Sequence, residues 1–185
     1  MRHASSSPVA VRWVPHEGGA DTCRAGMGRM SKPTLKAELL ALLTADLETL
    51  ERAHRATREG ATHEEAKPEN DKDTRALEQS YLARGQAARI EELRASVASV
   101  GALALRDFGG GPAALGAQVT VDVEGVESTF FIAPGGGGAR LQGGAVQVVT
   151  PASPLGRALL GKQEGDEVEL VLAGKTRSMQ VLRVA

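Results

Sequence analysis

The sequence predicts an α+β protein: an amino-terminal antiparallel helical hairpin of coiled-coil type, then a mostly antiparallel sheet with one short helix. Three observations predict it. Two segments carry apolar residues at steps of 3, 4 and 3. Glycine is nearly absent from residues 31–100 and abundant after Gly101. From Gln118 the apolar period drops from that of a helix to two.

The first helix is expected from Pro33, a residue tolerated in a first turn, to about Glu59, stopping at Gly60. Leu40, Leu43, Leu47 and Leu50 form its seam, and Leu35, Leu39 and Leu42 widen the apolar face. The second is expected from about Pro68 to Val100. Ile90, Leu93, Val97 and Val100 repeat the seam, and Ala76, Leu77, Tyr81 and Leu82 extend it toward the turn. Matched seams joined by a short polar link make a helical hairpin. Some 26 residues give a rod of roughly 40 Å, too long for the following domain to cover, so part of it projects.

Strands are expected at 118–123, 128–133, 146–149, 168–172 and 179–184, from alternation such as Val119, Val121 and Val123 against Thr120 and Asp122. Gly135 to Gly138 lack the Lys-Ser/Thr of a phosphate loop and open no helix, so a flexible turn is expected there. Ser153 and Pro154 cap a short helix over 155–160 that Gly161 ends. Leu155, Ala158, Leu159 and Leu160 supply its buried side, leaving Arg157 and Lys162 as exposed docking candidates. The predicted organisation is a tail at 1–30, a hairpin at 31–101, a linker at 102–116 and the sheet domain at 117–185. The tail is Ser/Gly/Pro-rich with no apolar signal core, and a start assigned too early would explain it. Trp13 and Cys23 would then carry no function.

Composition excludes several classes. The chain has 185 residues, 42% hydrophobic and 24% charged, enough for a packed core. Aromatics are 3% and net charge is −1, which argues against a base-stacking platform or a broad phosphate-binding surface. Cys23 is the single cysteine, so internal disulfides and cysteine zinc sites are excluded, and a reducing, cytoplasmic setting is expected. His3, His16, His54 and His63 have no ligand-like spacing. No apolar run approaches the ~18 residues of a membrane span, so no membrane partner is expected. Charge is uneven, however. Residues 59–78 hold seven acids against three bases, around the expected turn. Such acids suit the positive end of the second helix as a solvated turn. As a cluster at the end of a rod they also suit magnesium, which takes one or two carboxylates plus waters and a substrate phosphate.

The segment Ser153-Pro154-Leu155-Gly156-Arg157-Ala158-Leu159-Leu160-Gly161-Lys162, with Gly165-Asp166-Glu167-Val168-Glu169 after it, resembles the carboxy-terminal domain of the Gre family of bacterial transcription elongation factors. Glu69-Asn70 and Glu78-Gln79 resemble the start of that family's second helix. The resemblance covers residues 31–185. It implies a monomeric accessory factor, not itself an enzyme, with an FKBP-like carboxy-terminal domain that docks at the rim of the RNA polymerase secondary channel through Arg157 and Lys162. The hairpin would enter the channel, near the nascent RNA and template DNA of the elongation complex. Glu65 and Glu69, supported by Asp71 and Asp73, would help hold a magnesium ion shared with the polymerase, so that backtracked RNA is cleaved. The chain alone would hold no metal. Cleavage-competent members carry Asp three residues before the Glu-Asn pair, where this chain has Ala66. A regulator or inhibitor without cleavage activity is therefore the alternative, and a non-catalytic coiled-coil adaptor a third reading. An adaptor rod would need exposed apolar anchors, and alanine is all that 59–76 offers. A prolyl isomerase would need an aromatic pocket, for which only Phe108, Phe130 and Phe131 are at hand.

Overall fold

The computed structural model describes residues 31–62, 74–172 and 175–185. Helix α1 spans Lys32–Thr62 and α2 spans Thr74–Gly101. Ser31 starts α1: its carbonyl accepts from Thr34 N at 2.9 Å and Leu35 N at 3.2 Å, with Pro33 in the first turn. The helices run antiparallel, since Lys36 meets Gly101 while Glu51 meets Arg94 and His54 meets Gln86. Lys36 Nζ donates to the carbonyls of Gly101 and Leu103, both at 2.8 Å, and Lys32 Nζ donates to that of Arg106. Two lysines of the first turns of α1 thus satisfy carbonyls at and just beyond the carboxyl end of α2, where a positive charge is also favoured electrostatically.

The sheet has six strands in the order β3-β4-β2-β1-β6-β5. They are β1 Gln118–Val123, β2 Val126–Ile132, β3 Arg140–Leu141, β4 Val146–Val149, β5 Glu167–Leu172 and β6 Lys175–Val184. The pairings are antiparallel except β2 with β4, which are parallel in the register Thr129 to Val146 through Ile132 to Val149. The expected sheet is therefore present with a sixth, two-residue strand, β3. Strand β2 starts at Val126 and β6 at Lys175, each earlier than alternation alone suggests. Short helix α3, Pro154–Leu159, follows β4.

Two apolar cores lie on opposite faces of the sheet. Successive strand residues point to opposite sides, so Phe130 and Ile132 of β2 enter one core while Phe131, with Ala133 just beyond the strand, enters the other. The first core joins Val119, Val121, Val168, Leu170 and Met179 to Leu159 of α3. The second joins Phe131, Leu141, Val146 and Val148 to Leu35, Leu39, Leu43, Leu93 and Val100 of the hairpin. The base of the hairpin therefore packs on the sheet. Leu35 and Leu39 are fully buried there, each contributing about 2 kcal/mol.

The far part of the hairpin is different. Past Leu50 in α1, and before Ile90 in α2, no described side chain is fully buried. Three sequence expectations need correction. Leu42 is 42% exposed, because Leu35, Leu39 and Leu43 step by four along the face that meets the sheet, and Leu42 falls outside it. Tyr81 is 68% exposed and adds nothing to the seam. The helix stop expected at Gly60 is also corrected, since α1 runs on through it to Thr62; the expected tail at 1–30, with Trp13 and Cys23, and the rest of the turn expected between Gly60 and Pro68 lie outside the described residues.

Candidate functional site

The hairpin base is seated in the glycine-rich loop after β2. A Cβ on Gly135 would lie 2.9 Å from Ser96 Cβ of α2 and 3.1 Å from its Cα. One on Gly136, at φ +73°, would lie 2.7 Å from Leu39 Cδ1 and 3.4 Å from both methyls of Leu43 on α1. The loop expected to be a flexible turn is instead a notch, and its glycines let both helices approach the backbone. Beside it, Glu38 of α1 accepts the backbone N–H of Gln142 at 2.9 Å on one carboxylate oxygen and the Gln142 side-chain amide on the other. Gln142 is a non-glycine residue at φ +57°, in the turn Gln142–Gly144 between β3 and β4.

Further out, polar pairs replace leucines between the helices. Arg94 donates to Glu51 through Nη2 at 2.6 Å and Nε at 3.1 Å, and to Glu91 at 2.7 Å. The hydrogen bond to Glu51 is the main cause that raises the Arg94 pKa above its ordinary value. His54 Nδ1 lies 3.3 Å from Gln86 Oε1; the amide oxygen only accepts, so the ring nitrogen donates. Glu51, His54, Glu91 and Arg94, with Arg55, Glu59 and Arg84, line an open groove of about 870 Å³ along the rod. None of this was legible in the heptad pattern, which registers apolar positions only.

The acids singled out by sequence, Glu65, Glu69, Asp71 and Asp73, lie outside the described residues, as do Glu64, Ala66 and Pro68. The structure describes the helix ends on either side, Thr62 and Thr74. Among the described residues, no group of three or more His, Cys, Asp or Glu side chains could hold a metal ion.

The docking candidates are described. Ser153 caps α3: its Oγ accepts from Gly156 N at 3.0 Å and donates to the Thr150 carbonyl at 2.8 Å. A Cβ on Gly156 would fall 1.9 Å from that same carbonyl oxygen, so the motif's glycine is required by backbone contact. Arg157 is exposed. Lys162 is half-buried, and its Nζ donates to the Glu167 carbonyl at 3.1 Å, tying the end of α3 to β5. The linker also binds here, through Ala113 N to Lys162 O at 2.8 Å and Gly161 N to Ala113 O at 2.7 Å. Arg157 is thus the freer of the two cations to meet a partner.

The three phenylalanines do not form one pocket: Phe131 enters one core and Phe130 the other, and Phe108 packs against the latter with Lys32 Nζ and the Arg106 guanidinium each 4.9 Å from its ring centre. No helix among the described residues is long and apolar enough to cross a membrane.

Comparison with known proteins bears on this arrangement. A family model described as transcription elongation factor GreA/GreB, C-terminal, matches residues 111–185. The chain is similar to transcription elongation factor GreA of Syntrophobacter fumaroxidans, 30% identical over 161 residues that cover 84% of this chain and 99% of that protein. It is similar to GreA of Hyphomonas neptunium at 29% identity, covering 84% of this chain and 98% of that one. Among solved structures, GreA factor homolog 1 (Gfh1) of Thermus thermophilus aligns with 79% of this chain and 94% of its own, at 20% identity and a TM-score of 0.35. That superposition is too loose to bear on the site.

Proposed function

Because the chain belongs to the Gre family of transcription elongation factors, we propose that it is an accessory factor of bacterial RNA polymerase that promotes cleavage of backtracked RNA. The sheet domain docks at the rim of the secondary channel by the face carrying Arg157, with Lys162 in support. The hairpin enters the channel. The observation that carries this reading is the rod itself. Its base is held in a core shared with the sheet, and its helices run on past the last buried leucine. The link they carry, residues 63–73, holds Glu64, Glu65, Glu69, Asp71 and Asp73 against Lys67 and Lys72.

The donor chemistry of that link fits a hard divalent cation, since carboxylate oxygens are what magnesium prefers. Glu65 and Glu69 would hold an ion shared with the polymerase, with Asp71 or Asp73 assisting. Such an ion, when bound, lowers the pKa of a water and offsets phosphate charge. The chain's own part is to carry these carboxylates to the polymerase centre and hold them there. Both magnesium and nucleic-acid proximity are parts of this reading alone.

A cleavage assay on backtracked elongation complexes tests it. Glu69→Ala is expected to lower stimulated cleavage by about 10²-fold, the scale on which a misplaced catalytic group acts, with affinity for the polymerase unchanged. Glu65→Ala follows with a smaller loss. Ala66, at the position where cleavage-competent relatives carry Asp, favours a second outcome. If the unmodified protein slows RNA synthesis and gives no cleavage above the intrinsic rate, it is a polymerase regulator and the cleavage reading is wrong.

A further inference from the structure

We propose that Glu38 is a positioning residue: by clamping Gln142 it fixes the direction in which the hairpin leaves the sheet. The functional half of this inference rests on the cleavage reading above; the structural half does not.

Gln142 sits at φ +57°, a left-handed conformation that glycine adopts without cost and other residues seldom do. Gly143 and Gly144 follow it, so a glycine turn lay within easy reach of this sequence. What glutamine provides and glycine cannot is a side-chain amide. That amide donates to one oxygen of Glu38, while the backbone N–H of the same residue donates to the other. A strained conformation persists where surrounding contacts over-determine it, and here the contact is a two-point grip from α1.

The grip supplies what the apolar contacts do not. Leu35, Leu39 and Leu43 hold the hairpin on the sheet, but apolar burial has no preferred direction. A helix lying in the notch of Gly135 and Gly136 could rock about it. A carboxylate with both oxygens engaged resists rotation and sliding together. The lever is long: from Glu38 to Thr62 the helix rises roughly 36 Å, so rocking by about 10° would sweep its far end by about 6 Å. Misplacement of a reacting group by about 1 Å can cost 10²-fold in rate. A small angular freedom at the base is therefore large at the tip.

The test uses the full chain with Cys23→Ser and spin labels at Ala88, exposed on α2, and Glu164, exposed after α3. The distance distribution between labels is measured by pulsed electron resonance, next to urea unfolding and cleavage kinetics. Glu38→Ala is expected to widen the distribution at least twofold. It should lower the maximal cleavage rate about tenfold, with the half-saturating concentration unchanged. Glu38→Gln can keep both contacts, its amide oxygen accepting from Gln142 N–H and its NH2 donating to the Gln142 side-chain oxygen once that amide turns over, and should restore most of both. Gln142→Gly removes only the side-chain bond and relieves the left-handed strain. It should widen the distribution without lowering the urea midpoint, which separates positioning from stability should Glu38→Ala fold poorly. An unchanged distribution in Gln142→Gly and in a folded Glu38→Ala overturns the proposal. A widened distribution in a protein that shows no cleavage sustains the clamp and removes the cleavage reading.

Discussion

Adding one methyl group should have opposite effects at three glycines, and the signs follow from what each Cβ would meet. At Gly135 it meets the Cα and Cβ of Ser96, atoms of a packed helix that cannot move aside alone. Overpacking of that kind costs about 1–3 kcal/mol. At Gly136 the nearest atom is the far end of a leucine, which can turn away, but φ +73° itself costs an L-residue roughly 1–2 kcal/mol. At Gly85, inside α2, nothing lies within 4 Å, and alanine is favoured over glycine in a helix by about 0.5–1 kcal/mol. For a chain of this size each kcal/mol moves the thermal midpoint by about 2–4 °C. Gly135→Ala should then lower it by about 2–12 °C and Gly136→Ala by about 2–8 °C, and Gly85→Ala should raise it by about 1–4 °C. Helical circular dichroism during thermal unfolding, with urea titration beside it, reads all three. A midpoint unmoved or raised by both loop variants would refute the seat, because a free turn would accept either methyl.

Leu39→Ala should cost about 2–5 kcal/mol and Leu42→Ala under about 0.5, as one side chain is fully buried and the other 42% exposed; urea midpoints of the two variants check the ratio. For docking, Arg157→Ala should weaken competition for RNA polymerase more than Lys162→Ala, whose ammonium already serves the Glu167 carbonyl, and an equal loss from both would contradict that ranking.

The seams were legible because a helix against a helix repeats its apolar contacts along the chain, and Leu43, Ile90, Leu93 and Val100 are buried as that repeat requires. Periodicity does not name the partner, however. Leu35 and Leu39 read as a broad start to the seam, while in the structure they share a core with Phe131, Leu141 and Val148 of the sheet. Leu42 reads the same way and faces solvent, since one helical step carries it past the sheet. The parallel pairing of β2 with β4 was hidden because alternation fixes a strand's faces and not its direction. The glycine loop misled for a different reason: glycine serves both loose turns and close approaches, and only the neighbours distinguish them. Arg157 was legible as an exposed cation left over by the short helix, whereas Lys162, read as exposed too, is half-buried and tied to the Glu167 carbonyl. The Glu38–Gln142 grip was not legible, being a single long-range contact between two polar residues with no pattern to announce it.

The shared wall of β2 also bears on how the chain comes to be folded during synthesis. Leu35, Leu39 and Leu43 leave the ribosome about a hundred residues ahead of Val146 and Val148, the strand that completes their core. The hairpin can wind up at once from local contacts, yet its base must wait, with a strip of leucine uncovered, until β4 has been made. Non-local closure of this kind is slow, and an apolar strip left open invites contact with other chains. The interval between making the first helix and making the fourth strand is therefore the period in which this protein is most exposed to aggregation, and the one in which a nascent-chain chaperone would find something to hold.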